Sequence, residues 1–300
     1  MSKQNYLQRL KPWVLPISMV TGMLFHRWIG NIAFLSPYLI FVMLLITYCR
    51  VSIRQFHIDV SMWLLLLVQI VGSVSVYALL RPFNELLAQG AFICVFCPTA
   101  TAAPVVTGML GGSVARVATY SVLSYTAVAL LAPPLMTWMN PGADIPFADT
   151  MLRICRTVLP MILGPMIVAG LLARFNRRAH SEIASHQGLS FYIWAVSLLI
   201  VVGTSVSFVM QEPPSAIPMM AGLAAVSMVV CAAQFWIGRK IGKRFGDSVS
   251  ASQSLGQKNT VLVIWLALAY FNPIVSIAPA AYIVWHNTVN SWQLARHARQ

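Results

Sequence analysis

The residue most able to do chemistry is Lys258, in Ser254-Leu255-Gly256-Gln257-Lys258-Asn259-Thr260, with apolar sequence continuing to Phe271. Counted from Ser248 at ~1.5 Å per helical residue, it lies near the middle of a membrane span. An ionisable group at that depth is costly and is read first as functional. The seven carboxylates, Asp59, Glu85, Asp144, Asp149, Glu182, Glu212 and Asp247, all fall in connecting segments. A buried cation without a buried anion suits an anion better than a metal. Cys94-Val-Phe-Cys97 has redox spacing, but no second cysteine pair or histidine cluster completes it, and the six histidines are scattered. Neither a metal nor another cofactor is expected. His286 reads as a packing or interface residue. With no carboxylate dyad, Ser–His pair or metal cluster at membrane depth, an enzyme is not expected.

The elements carrying these residues are apolar throughout. A chain of 300 residues with 58% apolar and 9% charged content cannot be a soluble domain. About ten spans are expected: 12–25, 33–49, 60–80, 86–110, 114–139, 151–173, 189–209, 215–238, 249–270 and 274–294. No small-residue cleavage pattern follows the first run, so it reads as a span and not as a signal peptide. With the N-terminus inside, fifteen Lys and Arg fall in inner segments and four in outer ones, with Lys258 left over. That bias puts both termini in the cytoplasm of a plasma or bacterial inner membrane. The net charge of +13 is then an orientation signal with some attraction to anionic lipid; it does not call for nucleic acid.

Five spans per half give the halves opposite orientation, an inverted repeat of residues 1–140 and 141–300. The fourth and ninth spans, at equivalent positions, are the interrupted ones. In the fourth, Cys97-Pro98-Thr99-Ala100-Thr101-Ala102-Ala103-Pro104 breaks the helix, because Pro98 lacks an N–H and Pro104 suits a new first turn. In the ninth, Gly256 sits among five polar residues. Unwound backbone is tolerated at this depth only where it lines protein or a wet cavity. If the breaks cross, two half-helix N-termini point N–H groups into one space, which favours an anion.

The proline–threonine crossover, Gly111-Gly112-Ser113-Val114-Ala115, the Gly256…Asn259 stretch, and Phe271-Asn272-Pro273 through Trp285-His286-Asn287 together resemble the bile acid:sodium symporter family over nearly the whole chain. The resemblance implies an all-α membrane fold of ten helices in two inverted repeats. The first, second, sixth and seventh spans would form a panel and the others a core around the crossed fourth and ninth. It also implies alternating-access transport of an organic anion, a carboxylate or sterol conjugate, with sodium bound behind the crossover.

The sequence departs from the family pattern at the sodium sites. Where members resemble E-x-G-x-Q-N, this chain has Ser254, Gly256, Lys258 and Asn259. Ala103-Pro104 replaces a Ser-Asn pair, and the fifth-span hydroxyl positions read Val117 and Ser121; the third-span Gln69 is intact. A hard cation wants several oxygen ligands, whereas an ammonium is only a donor. Lys258 is therefore expected to replace sodium, held by Gln69 and backbone carbonyls, with Ser121, Ser254 and Gln257 as neighbours. It would be either permanently protonated or proton-linked. Thr99, Thr101, Lys258, Asn259 and Thr260 are the expected substrate contacts. A sodium symporter with a residual weak site and a non-transporting sensor or lipid-binding scaffold are the alternatives.

Overall fold

The computed structural model describes residues 3–49, 57–139, 147–211 and 213–297. Arg50, Arg54, Asp144, Glu212 and Arg299 lie outside the described residues. The described chain is helical: α1 (Lys3–Leu24), α2 (His26–Ile29), α3 (Ser36–Tyr48), α4 (Val60–Leu80), α5 (Glu85–Phe96), α6 (Ala103–Met109), α7 (Val114–Met139), α8 (Phe147–Phe175), α9 (Arg177–Ser185), α10 (Gln187–Val209), α11 (Ile217–Arg244), α12 (Ser248–Gly256), α13 (Thr260–Tyr270) and α14 (Ile277–His297).

Five described segments are long and apolar enough to cross a membrane: His26–Tyr48, Val60–Leu80, Val114–Met139, Gly188–Ser207 and Pro214–Arg244. Residues 86–110 and 249–270 do not register as single spans, and the reason is local. Each is two short helices separated by extended backbone. Side chains such as Trp63, Leu67 and Val71 on α4, and Trp13, Ile17 and Leu24 on α1, stand exposed, as expected of faces turned to lipid.

Both breaks follow from their residues. Asn84 caps α5 by accepting from Leu87 N–H at 3.0 Å. Its last turn ends at Cys97, whose ψ of 141° is the extended geometry imposed on a residue before proline. Asp247 caps α12 through Ser250 N–H at 3.0 Å, and that helix ends at Gln257 with ψ 126°. Asn259 then caps α13, accepting from Leu262 N–H at 3.1 Å.

Small residues let the elements approach. On α11, Gly238 and Gly242 form a G-x-x-x-G face against α12, where a Cβ would lie 2.5 Å from the Ala251 carbonyl oxygen and 2.4 Å from that of Asp247 respectively. Phe92 of α5 anchors the core around it, stacked on Phe96 at 5.1 Å and edge-on to Tyr77 and Phe271. A second cluster joins α1, α3, α6, α10 and α14 through Leu15, Met43, Val105, Trp194 and Ile283.

At one end, Arg116 ties three helix starts together. Its Nη2 donates to Asp59 Oδ2 at 2.6 Å and to Ser61 Oγ at 2.7 Å, and its Nη1 lies 3.6 Å from Asp247 Oδ2. Asp59 caps α4 through Met62 N–H, so the ion pairs join the caps of α4 and α12. Burial pushes the Asp59 carboxyl up, but the Ser61 hydroxyl, the Met62 N–H and the Arg116 charge together outweigh it and hold the group below its ordinary value. A carboxyl whose folded value is depressed contributes stability above its unfolded value of ~3.9, and that contribution is lost as pH falls through the folded one. Thermal midpoints of the detergent-solubilised protein will therefore fall more steeply on acidification below ~3.9 for the wild type than for Asp59→Asn, which starts lower at neutral pH.

Candidate functional site

The two breaks cross. Thr99 and Lys258 pair as an isolated antiparallel bridge, with Asn259 N–H donating to Pro98 O at 2.9 Å and Ala100 N–H to Gln257 O at 3.0 Å. Around this pairing the side chains follow one rule in both directions. Thr99 Oγ1 donates at 2.7 Å to the carbonyl of Ser254, four residues before Lys258. Lys258 Nζ donates at 3.0 Å to the carbonyl of Val95, four residues before Thr99. Each crossing residue thus caps the C-terminal end of the other's half-helix.

That capping answers a necessity. The last carbonyls of a helix have no partner within it and carry the negative end of its dipole. At the end of α5 they are all satisfied: Ile93 O by Cys97 N–H, Cys94 O by Gln234 Nε2 at 3.3 Å, Val95 O by Lys258, and Phe96 O by Gln69 Nε2 at 2.8 Å. Cys97 O accepts from both Lys258 Nζ at 2.9 Å and Gln69 Nε2 at 3.1 Å. At the end of α12, Gly256 O accepts from Tyr282 OH at 2.8 Å, and at the start of α13 Asn259 O accepts from Cys97 Sγ at 3.1 Å.

Several expected residues sit here, with altered contacts. Gln69 does not hold the lysine directly; it shares the Cys97 carbonyl with it, while its Oε1 accepts from Tyr120 OH at 2.7 Å and Ser124 Oγ at 2.8 Å. Tyr120 and Ser124, four apart on α7, are the fifth-span hydroxyls that face the site; Ser121 bonds back to Val117 O in its own helix. Gln257 Nε2 donates to Gln253 Oε1, and Gln253 Nε2 to Gln293 Oε1 at 2.6 Å. Ser254 enters through its carbonyl.

The helix N-termini differ from expectation as well. At the start of α6, Ala103 N–H bonds to Ala100 O and the N–H groups of Val105 and Val106 to Ala102 O, so its own turn closes it. The α13 end is capped by the Asn259 side chain. Two open N-termini converging on an anion are not what the crossing provides.

The ligands for sodium are also committed. Carbonyls that would hold a cation accept from an ammonium, Gln69 Oε1 faces two hydroxyl donors, and among the described residues no carboxylate belongs to the site. This donor set does not fit a hard cation.

Beside the crossing lies a cavity of about 380 Å³, walled by α3, α10, α14 and both breaks. Thr101, Asn259 and Thr260 border it, with Ser36, Ser197, His286 and Asn287 as further polar groups and Ile40, Met43, Trp194, Leu198 and Ile283 as apolar wall. Thr99 is fully buried outside this wall. Lys258 borders it, but its ammonium is bound to the α5 carbonyls. Asn259 is held by Tyr125 OH at 2.5 Å. His286, taken from sequence as packing, belongs to the wall; its signal was Asn287 and Asn290 beside it on a helix otherwise read as apolar. Lys258→Met will leave two carbonyls without their charged donor and lower stability by about 3 kcal/mol, against about 1 kcal/mol for Thr99→Val, as read by unfolding of the solubilised variants.

The sequence is similar to known transporters. The pattern of the SBF-like CPA transporter family matches residues 50–290. Over 212 residues the chain is 26% identical to a probable sodium/metabolite cotransporter, BASS1, of the rice chloroplast (Oryza sativa subsp. japonica), covering 68% of this chain and 49% of the rice protein. Over 216 residues it is 27% identical to an uncharacterized sodium-dependent transporter, YocS, of Bacillus subtilis (strain 168), covering 68% of this chain and 62% of that protein. The matched region thus spans about half of the first relative and under two thirds of the second.

Proposed function

This chain belongs to the SBF-like CPA transporter family, of bile acid:sodium symporter type, and we propose from that premise that it carries a small organic anion by alternating access without sodium. The family is one of transporters, not enzymes, and the several apolar helices make the chain a multi-pass membrane protein. In the proposed architecture ten spans form two inverted repeats, 1–140 and 141–300. α5–α6 and α12–α13 are the broken fourth and ninth spans, α3 and α10 belong to the panel, and both termini lie in the cytoplasm of a plasma or bacterial inner membrane. The reciprocal capping between Thr99 and Lys258 supports the two-fold relation of the halves.

One observation carries the coupling: Lys258 Nζ bonds to the carbonyls of Val95 and Cys97, supplying at the end of α5 the positive charge that a bound cation would otherwise bring. A neutral amine would keep two N–H groups for these carbonyls but lose the charge that complements the negative end of the α5 dipole, and on that ground the group is read as charged. In this reading Lys258 and Gln69 hold the crossing. Thr101, Asn259 and Thr260, with Ser197 and Asn287, would meet the substrate's polar end while Trp194, Leu198 and Ile283 meet its apolar body. A cavity with an apolar wall and a few convergent polar groups is the usual form of a small-molecule site.

The names of the relatives favour sodium coupling as the second reading. Uptake of labelled organic anions by proteoliposomes, with and without an inward sodium gradient, separates the two. Equal uptake in both conditions is expected; uptake that requires the gradient would establish a sodium symporter. Retention of no anion in either condition would instead favour the scaffold.

A further inference from the structure

The cavity wall contains a titratable ring to which the transport reading gives no task. His286 is 6% exposed, and its buried Nδ1 has no hydrogen-bond partner. One turn further along α14, Asn290 is wholly buried and both polar atoms of its amide are likewise unpaired. Buried polar atoms are normally partnered by protein or by ordered water. Of these three unpaired atoms on one stripe of α14, only the His286 nitrogen belongs to a cavity-wall residue, and it lacks the protein partner that a buried ring nitrogen ordinarily has.

The surroundings of His286 define what that is. On its own helix Tyr282 packs edge-on at 5.5 Å, and its hydroxyl is committed to Gly256 O. From α11, Cys231 hydrogen-bonds to Tyr282, and α5 brings the buried thiol of Cys94 to the same core. The crossing brings Lys258, whose ammonium is held by carbonyls. The other described wall residues are neutral: Ser36 and Met43 from α3, Trp194 and Ser197 from α10, and Thr260 from α13. Leu15 of α1, which packs in one cluster with the wall residues Trp194 and Ile283, and Gln253 of α12, which bonds to the wall residue Gln257, are neutral too. No described carboxylate borders the cavity. Among the described residues a proton on His286 would therefore have no anion to pair with, and an unpaired charge in a mostly apolar cavity is unfavourable. Among the described residues none supplies that negative charge, which leaves it to the anion of the proposed transport cycle.

We propose that His286 is the proton-coupling residue of this transporter, protonated only while an organic monoanion occupies the cavity, so that one proton and one negative charge cross together. The inference rests on the transport reading and adds its coupling ion. The anion enters as the ring takes a proton from the same side, and imidazolium and anion pair within the cavity. After the cavity opens to the other side, the anion leaves and the ring returns its proton to water there. Lys258 keeps its charge throughout, so the turnover moves no net charge. Imidazole suits the task because its unperturbed proton affinity lies near physiological pH, so a paired anion has only to offset the cost of burial.

The test uses proteoliposomes of the full chain with a pH-sensitive dye inside. The probes are two sulfonates, isethionate and taurocholate, which stay ionised and do not carry protons across lipid as neutral acids. Wild-type uptake of at least one should acidify the lumen and rise with external acidity by up to about tenfold per pH unit, the limit for one proton. His286→Gln and His286→Asn, checked for folding by their thermal midpoints, should still take up the anion, with less than about a twofold response per unit and no lumenal acidification. Wild-type anion entry without proton movement, or acidification retained in both variants, would overturn the proposal while leaving the transport reading intact. Uptake by the wild type of neither sulfonate and of none of the labelled organic anions would overturn the transport reading, and the coupling with it.

Discussion

Two helical segments are broken deep inside the helical core, and there each broken end must find partners for its carbonyls within the protein. Lipid offers no donors, so unwound backbone survives only where other groups supply them. The crossing meets this requirement by exchange: Thr99 serves the end of α12 and Lys258 the end of α5, with backbone bonds between the two strands at Pro98–Asn259 and Ala100–Gln257. Gln69, Gln234 and Tyr282 fill the remaining positions from α4, α11 and α14. The rest of the core is arranged around the need to bring those donors in. The glycine face of α11 permits the close approach of α12, and Gly256 sits where a Cβ would lie 2.4 Å from the Phe235 ring.

This division of labour separates two roles that sequence alone runs together. A buried lysine beside hydroxyl and amide groups suggests a counter-charge for the substrate. Its ammonium instead faces the end of α5, and the cavity beside it is left with neutral polar groups and one imidazole. The Lys258 charge is therefore committed to the crossing, and the described cavity wall carries no fixed charge free of such a contact.

Much of the architecture was legible because prolines, glycines and runs of polar residues in apolar sequence have few physical explanations. Pro98 and Pro104 locate one break, and Gly256 with its polar neighbours locates the other, to within a residue or two of the structural ends. Side-chain direction was not legible. Ser121 and Ser124 differ in sequence only by position on a helix, yet one bonds to its own backbone and the other to Gln69. His286 reads as packing because a helix with Trp285 and Tyr282 looks like core; that its Nδ1 is unpaired emerges only from three-dimensional packing. The half-helix N-termini looked open because caps formed by Asn259 and by a tight turn at Ala100–Ala103 are indistinguishable in sequence from free ends.

The central claim is that the Lys258 ammonium stands where a cation would otherwise bind, and the most direct measurement is the thermal midpoint of the solubilised protein in sodium, potassium and choline salts at matched ionic strength. A ligand bound only by the folded state raises stability by mass action, so no substrate need be known. The account predicts equal midpoints in the three salts for the wild type, and a sodium-specific rise once Lys258→Gln is combined with Ser254→Glu. A sodium-specific rise in the wild type itself would contradict it.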